Sequence, residues 1–136
     1  MPICVVAEQE INVGTAEFVD GTAPDGRYAV VFEDDGETGY LYALDRSLEE
    51  QPILDAMHIY NVANVSDRHL PSRVTIGWSP DNLKVVLLIN EYPHAVYDFE
   101  SKHGYCRTGF PPPSKDGGWS GHAWDDSVGR LFAEKQ

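Results

Sequence analysis

The sequence predicts an α+β fold: a mainly antiparallel sheet of about five to seven strands, with a short middle helix and a C-terminal helix packed on it. Three observations carry this. Arg73 to Glu100 reads as three strands joined by two tight turns. Tyr28 to Asp45 reads as a hairpin, and the apolar residues near 50–57 and 123–133 recur at helical spacing.

Taken in order, Ile3 to Ala7 is a short apolar run between polar residues and suits a strand, with Ala16 to Val19 a second candidate. Ala23-Pro24-Asp25-Gly26 has the chemistry of a turn. Tyr28 to Glu33 then forms a strand, Asp34 to Gly39 connects, and Tyr40 to Asp45 returns, with Gly36 and Gly39 able to take positive φ in the loop. Ser47-Leu48-Glu49-Glu50 followed by Pro52 has the acids and early proline of a helix start, and Ile53, Leu54, Met57 and Tyr60 share one helical face. The expectation is a helix over about 50–57 running into a strand over His58 to Val65, then a loop from Ser66 to Ser72.

In Arg73 to Ser79, Val74, Ile76 and Trp78 alternate with smaller or polar residues, the period of a half-buried strand. Leu83 to Ile89 is apolar on both faces except for Lys84, which places it centrally in the sheet with cover on each side. Pro80-Asp81-Asn82 and Glu91-Tyr92-Pro93 supply the turns. Val30, Trp78, Val86, Leu88 and Leu131 are the expected core. The two hairpins also align: Ala23 to Gly26 on Ser79 to Asn82 puts Val30 on Val86, and a one-residue gap puts Asp45 on Glu100. They are either equivalent hairpins of one sheet or the common pattern of any two amphipathic hairpins.

Beyond Glu100, the glycines and the run Pro111-Pro112-Pro113 exclude regular structure over about 101–121. Tyr105, Phe110 and Trp119 distinguish this long loop from a disordered segment. Trp124, Val128, Leu131 and Phe132 suit a closing amphipathic helix over about 123–133, with Asp125 and Asp126 in its first turn.

Length and composition fit one domain spanning 1–136. No run approaches the roughly 18 apolar residues of a membrane span, and Met1 to Glu10 lacks the basic start of a signal peptide, so the expected location is the cytoplasm. Cys4 and Cys106 stand far apart without CxxC spacing and read as free buried thiols rather than a disulfide or a metal site. The net charge is −12. Residues 1–50 hold twelve Asp and Glu against Arg27 and Arg46, so −10 of it sits there. Such a field repels nucleic acid and anionic lipid and favours a basic partner.

No phosphate loop, zinc motif, nucleophile elbow or paired CxxC is present. The best nucleophile is Cys106, with His103, His122 or His94 as base and Asp125 as orienter, yet a thiol that is only packed or exposed is the simpler reading. Glu33-Asp34-Asp35-Gly36-Glu37 lacks EF-hand spacing and reads as a solvated hairpin tip rather than a cation site. Gly77-Trp78-Ser79-Pro80-Asp81 looks like the start of a β-propeller blade, but the chain has room for three blades at most, too few for a ring. No catalytic residue, metal or cofactor is assigned.

A combination of segments is more telling: Asp34 to Tyr40, His58 to Val62, Gly77-Trp78-Ser79, Tyr92 to Phe99, Gly104 to Pro111 and Gly121 to Asp126. Together they resemble a family of short bacterial proteins known only as a domain of unknown function, over most of residues 26–132. The resemblance implies no catalytic residue.

Two functions follow as expectations. The first is a small acidic binding module, most concretely an immunity or antitoxin protein that blocks a basic partner such as a toxin, through Glu33, Asp34, Asp35, Glu37, Tyr40 and Trp119. The alternative is a small-molecule-binding domain or small enzyme with a pocket near the 101–121 loop and the last helix, lined by Cys106, His122, Trp124 and Asp125.

Overall fold

The computed structural model describes residues 3–50, 52–66, 69–107 and 124. Nine strands run through them: β1 (Cys4–Ile11), β2 (Glu17–Thr22), β3 (Tyr28–Asp34), β4 (Thr38–Asp45), β5 (Ile53–Asn61), β6 (Ser72–Trp78), β7 (Lys84–Ile89), β8 (Tyr92–Asp98) and β9 (His103–Cys106). A single 3-10 turn, Val62–Asn64, follows β5. The strands form two antiparallel sheets, one in the order β2-β3-β4-β5 and the other β1-β6-β7-β8-β9. Among the described residues no helix is long and apolar enough to cross a membrane.

This corrects the α+β expectation. The described chain is nearly all β and divides into two sheets rather than one. The middle helix expected over 50–57 is absent: Ile53–Asn61 pairs along β4 from Leu44↔Ile53 to Thr38↔Asn61, with irregularities at Ala43/Leu44 and Gly39/Tyr40. Those two register shifts explain the misreading, because an interrupted strand places Ile53, Leu54, Met57 and Tyr60 at intervals that imitate a helical face. Pairing also satisfies the backbone edge that β4 would otherwise leave open. The irregular loop expected over about 101–121 is corrected as well: His103–Cys106 is strand β9, paired along β8 from Asp98↔His103 to Ala95↔Cys106, which ties down the start of that stretch as a sheet edge. The rest of that loop beyond Arg107, and the closing helix over 123–133 with Leu131, apart from Trp124, lie outside the described residues.

β7 occupies the centre of the five-stranded sheet, as its two apolar faces require. Val85 and Leu87 enter the main core between the sheets, with Val30, Phe32, Leu41, Met57, Ile76, Trp78 and Tyr97. Val86 turns the other way, forming with Val96 a second small cluster on the outer face, where Ile3, Leu88, Tyr105 and Trp124 cover it. Leu88 is therefore half-buried on the outside rather than central to the core. Hydrogen bonds tie the sheets across the core: Trp78 Nε1 donates to the Gly21 carbonyl at 3.3 Å and Tyr97 Oη to the Leu41 carbonyl at 2.9 Å. Tryptophan and tyrosine contribute large apolar area only when such polar atoms find partners.

The hairpin likeness is structural. Gly26 N donates to Ala23 O at 2.8 Å and Asn82 N to Ser79 O at 3.0 Å, while Ala23 N meets Tyr28 O as Ser79 N meets Lys84 O. Gly26 and Asn82 both take positive φ, 83° and 62°. Tyr28 pairs with Asp45 as Lys84 pairs with Asp98, so Asp45 corresponds to Asp98 and not to Glu100. The backbone N–H two residues on donates back to each of these carboxylates, from Ser47 and from Glu100, at 3.0 Å.

The equivalent hairpins lie in different sheets and present opposite faces to the core. Val30 is internal whereas its counterpart Val86 is external. Gly21 lies against Ile76 between the sheets, and its counterpart Gly77 lies against Ile3 on the far side. The two four-stranded meanders β2–β5 and β6–β9 are thus stacked in the same orientation, in the manner of neighbouring propeller blades. A head-to-tail stack leaves one unmatched face at each end. Ile3 and Trp124 cover one of them; the other, which no described residue covers, is the outer face of β2–β5.

Candidate functional site

The β3–β4 turn separates the acidic residues that the sequence groups together. Asp34 is 1 % exposed. Its Oδ1 accepts from Gly36 N at 2.8 Å, and its Oδ2 accepts from Gly14 N at 2.8 Å and from the Tyr60 hydroxyl at 2.6 Å. The placement gives Asp34 a structural task and removes it from any docking surface. Burial and this bond to a carboxylate push the Tyr60 hydroxyl pKa well up, so it stays a donor. Asp35 is exposed and caps the turn, accepting from Thr38 N at 2.8 Å and Glu37 N at 2.9 Å. Those two N–H groups hold its carboxyl below the usual range.

Glu33 and Tyr40 are brought together as cross-strand partners on the outer face of the four-stranded sheet. Glu33 also accepts from the Tyr42 hydroxyl at 3.3 Å. Burial first, and the Glu33 charge second, raise the Tyr42 pKa. Tyr40 and Tyr42 stack at 6.1 Å between ring centroids, and Tyr40 meets the His58 ring edge-on at 5.4 Å. Next to them Phe18, Val31, Tyr42, Leu44 and Ile53 line a shallow groove of about 390 Å³. Phe18 is 63 % and Ile53 47 % exposed, unusual values for large apolar side chains on a sheet. Asp20 lies opposite Val31 on β2, so carboxylates stand inside this apolar field as well as at its edge. The outward positions named here include no Lys or Arg.

Sequence reasoning missed this groove. Its signal was present: Tyr28–Asp34 and Thr38–Asp45 carry apolar residues on both faces, and a hairpin apolar on both faces needs cover on both.

The alternative pocket does not assemble as expected. Cys106 is 1 % exposed and faces the main core, its Sγ 3.1 Å from the His58 carbonyl. Trp124 lies on the opposite side of the same sheet, against Val86 and Val96. Arg107 holds it there, the guanidinium carbon 4.1 Å from the Trp124 ring and 4.4 Å from the Tyr92 ring. Trp119, His122 and Asp125 lie outside the described residues. Among the described residues no three His, Cys, Asp or Glu side chains converge as a metal site would require.

Comparison with known proteins agrees with the resemblance read from the sequence. A protein of Haemophilus influenzae named "Uncharacterized protein" is 44 % identical over 115 residues, which cover 83 % of this chain and 71 % of the relative. No solved structure matches. Residues 11–133 match the model of a family described as an uncharacterized protein conserved in bacteria (DUF2251), and the chain belongs to that family.

Proposed function

We propose that the protein is a cytoplasmic binding module that docks a basic protein, in the manner of an immunity or antitoxin protein that blocks its target. The observation that carries this reading is the outer face of β2–β5, where exposed Phe18 and Ile53 and the Tyr40–Tyr42 pair surround Glu33 and Asp20. An apolar, aromatic centre with acidic groups around it fits a partner that presents arginine and lysine about its own apolar anchors. Arginine suits it best, because the planar guanidinium stacks on tyrosine while pairing with a carboxylate.

Long-range charge supports the same reading. Residues 1–50, which hold −10 of the net −12, supply β1 to β4 and hence three of the four strands of this sheet. A field of that sign draws a basic partner to this side of the molecule and accelerates encounter.

The test starts with the partner, isolated by cross-linking in the native bacterium, and continues with its binding kinetics. Neutralising Glu33, Asp35 and Glu37 together slows association strongly at low salt and little at high salt, where exposed charges are screened beyond about 8–10 Å. Phe18→Ser instead speeds dissociation. Co-expression of the protein should restore growth to cells that make the partner. A captured partner that is acidic, or an association rate indifferent to salt and to the triple variant, would overturn the reading.

A further inference from the structure

A second site lies at the opposite end of the strands from the Pro24 and Pro80 turns, in a cavity of about 510 Å³ between the ends of the two sheets. Its volume falls within the roughly 300–1,000 Å³ of small-molecule pockets. Ile59, Leu70 and Ile89 form its apolar wall, while Ser66, Asn90 and His94 supply polar groups. His94 is placed there by a bulge: Leu87 pairs with Ala95 but Leu88 with Pro93, so His94 is the extra residue of β8. A bulge re-aims one side chain, and such irregularities gather beside binding sites.

Among the described residues no group hydrogen-bonds a ring nitrogen of His94. Burial, helped by the nearby Arg107 charge, pushes its pKa down to about 4, so near neutral pH the imidazole is uncharged and keeps one acceptor nitrogen. Asn90 Oδ1 is occupied by Arg73 N at 2.9 Å, which leaves the Asn90 amide N–H₂ as the group it can offer. The Tyr60 hydroxyl is committed to Asp34. Among the described residues, none of the side chains lining the cavity carries a formal charge, so none of them compensates an ionic ligand.

From this we infer that the cavity is a binding site for an uncharged, mainly apolar small molecule whose hydroxyl or N–H group donates to His94. This site is independent of the outer face of β2–β5, and either can stand without the other.

p-Cresol and toluene are suitable probes, since they differ by one hydroxyl donor. Titrated into the protein and followed by NMR, p-cresol should move the methyl signals of Ile59 and Ile89 and the ring signals of His94. It should bind at least about fivefold more tightly than toluene, the worth of one net hydrogen bond. In His94→Phe the two probes should bind equally. Leu70→Trp, at an exposed rim position, should block both without touching the core; it keeps the test decisive if the His94 variant does not fold. Equal affinities for the two probes in the native protein, or shifts confined to the outer face of β2–β5, would overturn the inference.

Discussion

The Tyr60 hydroxyl donates to Asp34 at 2.6 Å, and through this bond the end of β5 is tied to the end of β3 across the sheet. Gly14 N, from the β1–β2 turn, meets the same carboxylate oxygen at 2.8 Å. One carboxylate thus joins three segments that are far apart in sequence. Hydrogen bonds to a buried ionised group contribute about 1.5–3 kcal/mol each, and orphaning one costs similarly. Asp34→Ala should therefore destabilise the fold by about 3 kcal/mol or more in urea unfolding, whereas Asp35→Ala, at an exposed turn, should cost about 1 kcal/mol or less. Equal costs for the two would mean that Asp34 is not the junction described.

The sheets approach closely at Gly21, where an added Cβ would collide with Ile76 Cγ2. Gly21→Ala should cost about 1–3 kcal/mol by overpacking. Ile76→Ala alone removes the Cγ2 methyl and the rest of the side chain beyond Cβ, and costs about 2–5 kcal/mol. The double variant should be more stable than the sum of the two costs implies, because the smaller side chain makes room for the new methyl. Thermal or urea unfolding of the three proteins measures this, and simple additivity would show that the sheets separate freely at this point.

The strands are legible where turn chemistry and alternation coincide. Pro24-Asp25-Gly26 and Pro80-Asp81-Asn82 mark real turns, and the two-faced apolar run of β7 locates the centre of its sheet. Two features are hidden. The β7–β8 turn is built on Asn90 and Glu91, both at positive φ, one position earlier than Glu91-Tyr92-Pro93 suggests, and Pro93 belongs to β8. Bulges in the pairing of β5 and β8 then disguise one strand as a helix and turn His94 aside. The stacking of the meanders is hidden as well, since Val30 and Val86 align in sequence yet face opposite ways, which only the packing of the two sheets decides. Charge clustering in the sequence groups Asp34 with its acidic neighbours and overlooks that this carboxylate is consumed by the fold.

His94 should make stability depend on pH in a window of its own. Its pKa falls from an unfolded value near 6.5 to about 4 in the fold, so the unfolded chain binds the proton more readily. Stability from this group is fully present above about pH 6.5 and is lost as the pH drops from there towards 4, by about 2–3 kcal/mol in all. The depressed carboxyl groups act lower. Asp45 is raised by burial but lowered more by Ser47 and Arg27, and Asp81 is lowered chiefly by the Ser79 hydroxyl. Their contribution is present above about pH 4 and is lost only below it. Urea unfolding at about pH 7 and about pH 4.5 of the native protein and of His94→Gln separates the effects: the variant should lose distinctly less stability between the two conditions. A His94 ring signal titrating near its ordinary value of about 6.5 would contradict the prediction directly.

The two cysteines offer a reporter of the contact between the sheets at the β5–β9 edge. Cys4 is exposed on β1, whereas Cys106 on β9 is buried with its Sγ against the His58 carbonyl of β5. Under native conditions a thiol reagent should modify Cys4 rapidly and Cys106 only after the sheets part. In Cys4→Ser the fast phase should disappear, and the remaining rate should rise steeply with urea, in step with global unfolding. Cys106→Ser should cost about 1–3 kcal/mol, since a hydroxyl is more expensive to bury than a thiol even when it keeps the bond to His58 O. The same variant should leave partner binding and p-cresol binding unchanged, because Cys106 lines neither the outer face of β2–β5 nor the His94 cavity. Rapid modification of Cys106 in folded Cys4→Ser, with a rate insensitive to urea, would show instead that β9 lifts from β5 by itself and that this edge is the weak seam of the fold.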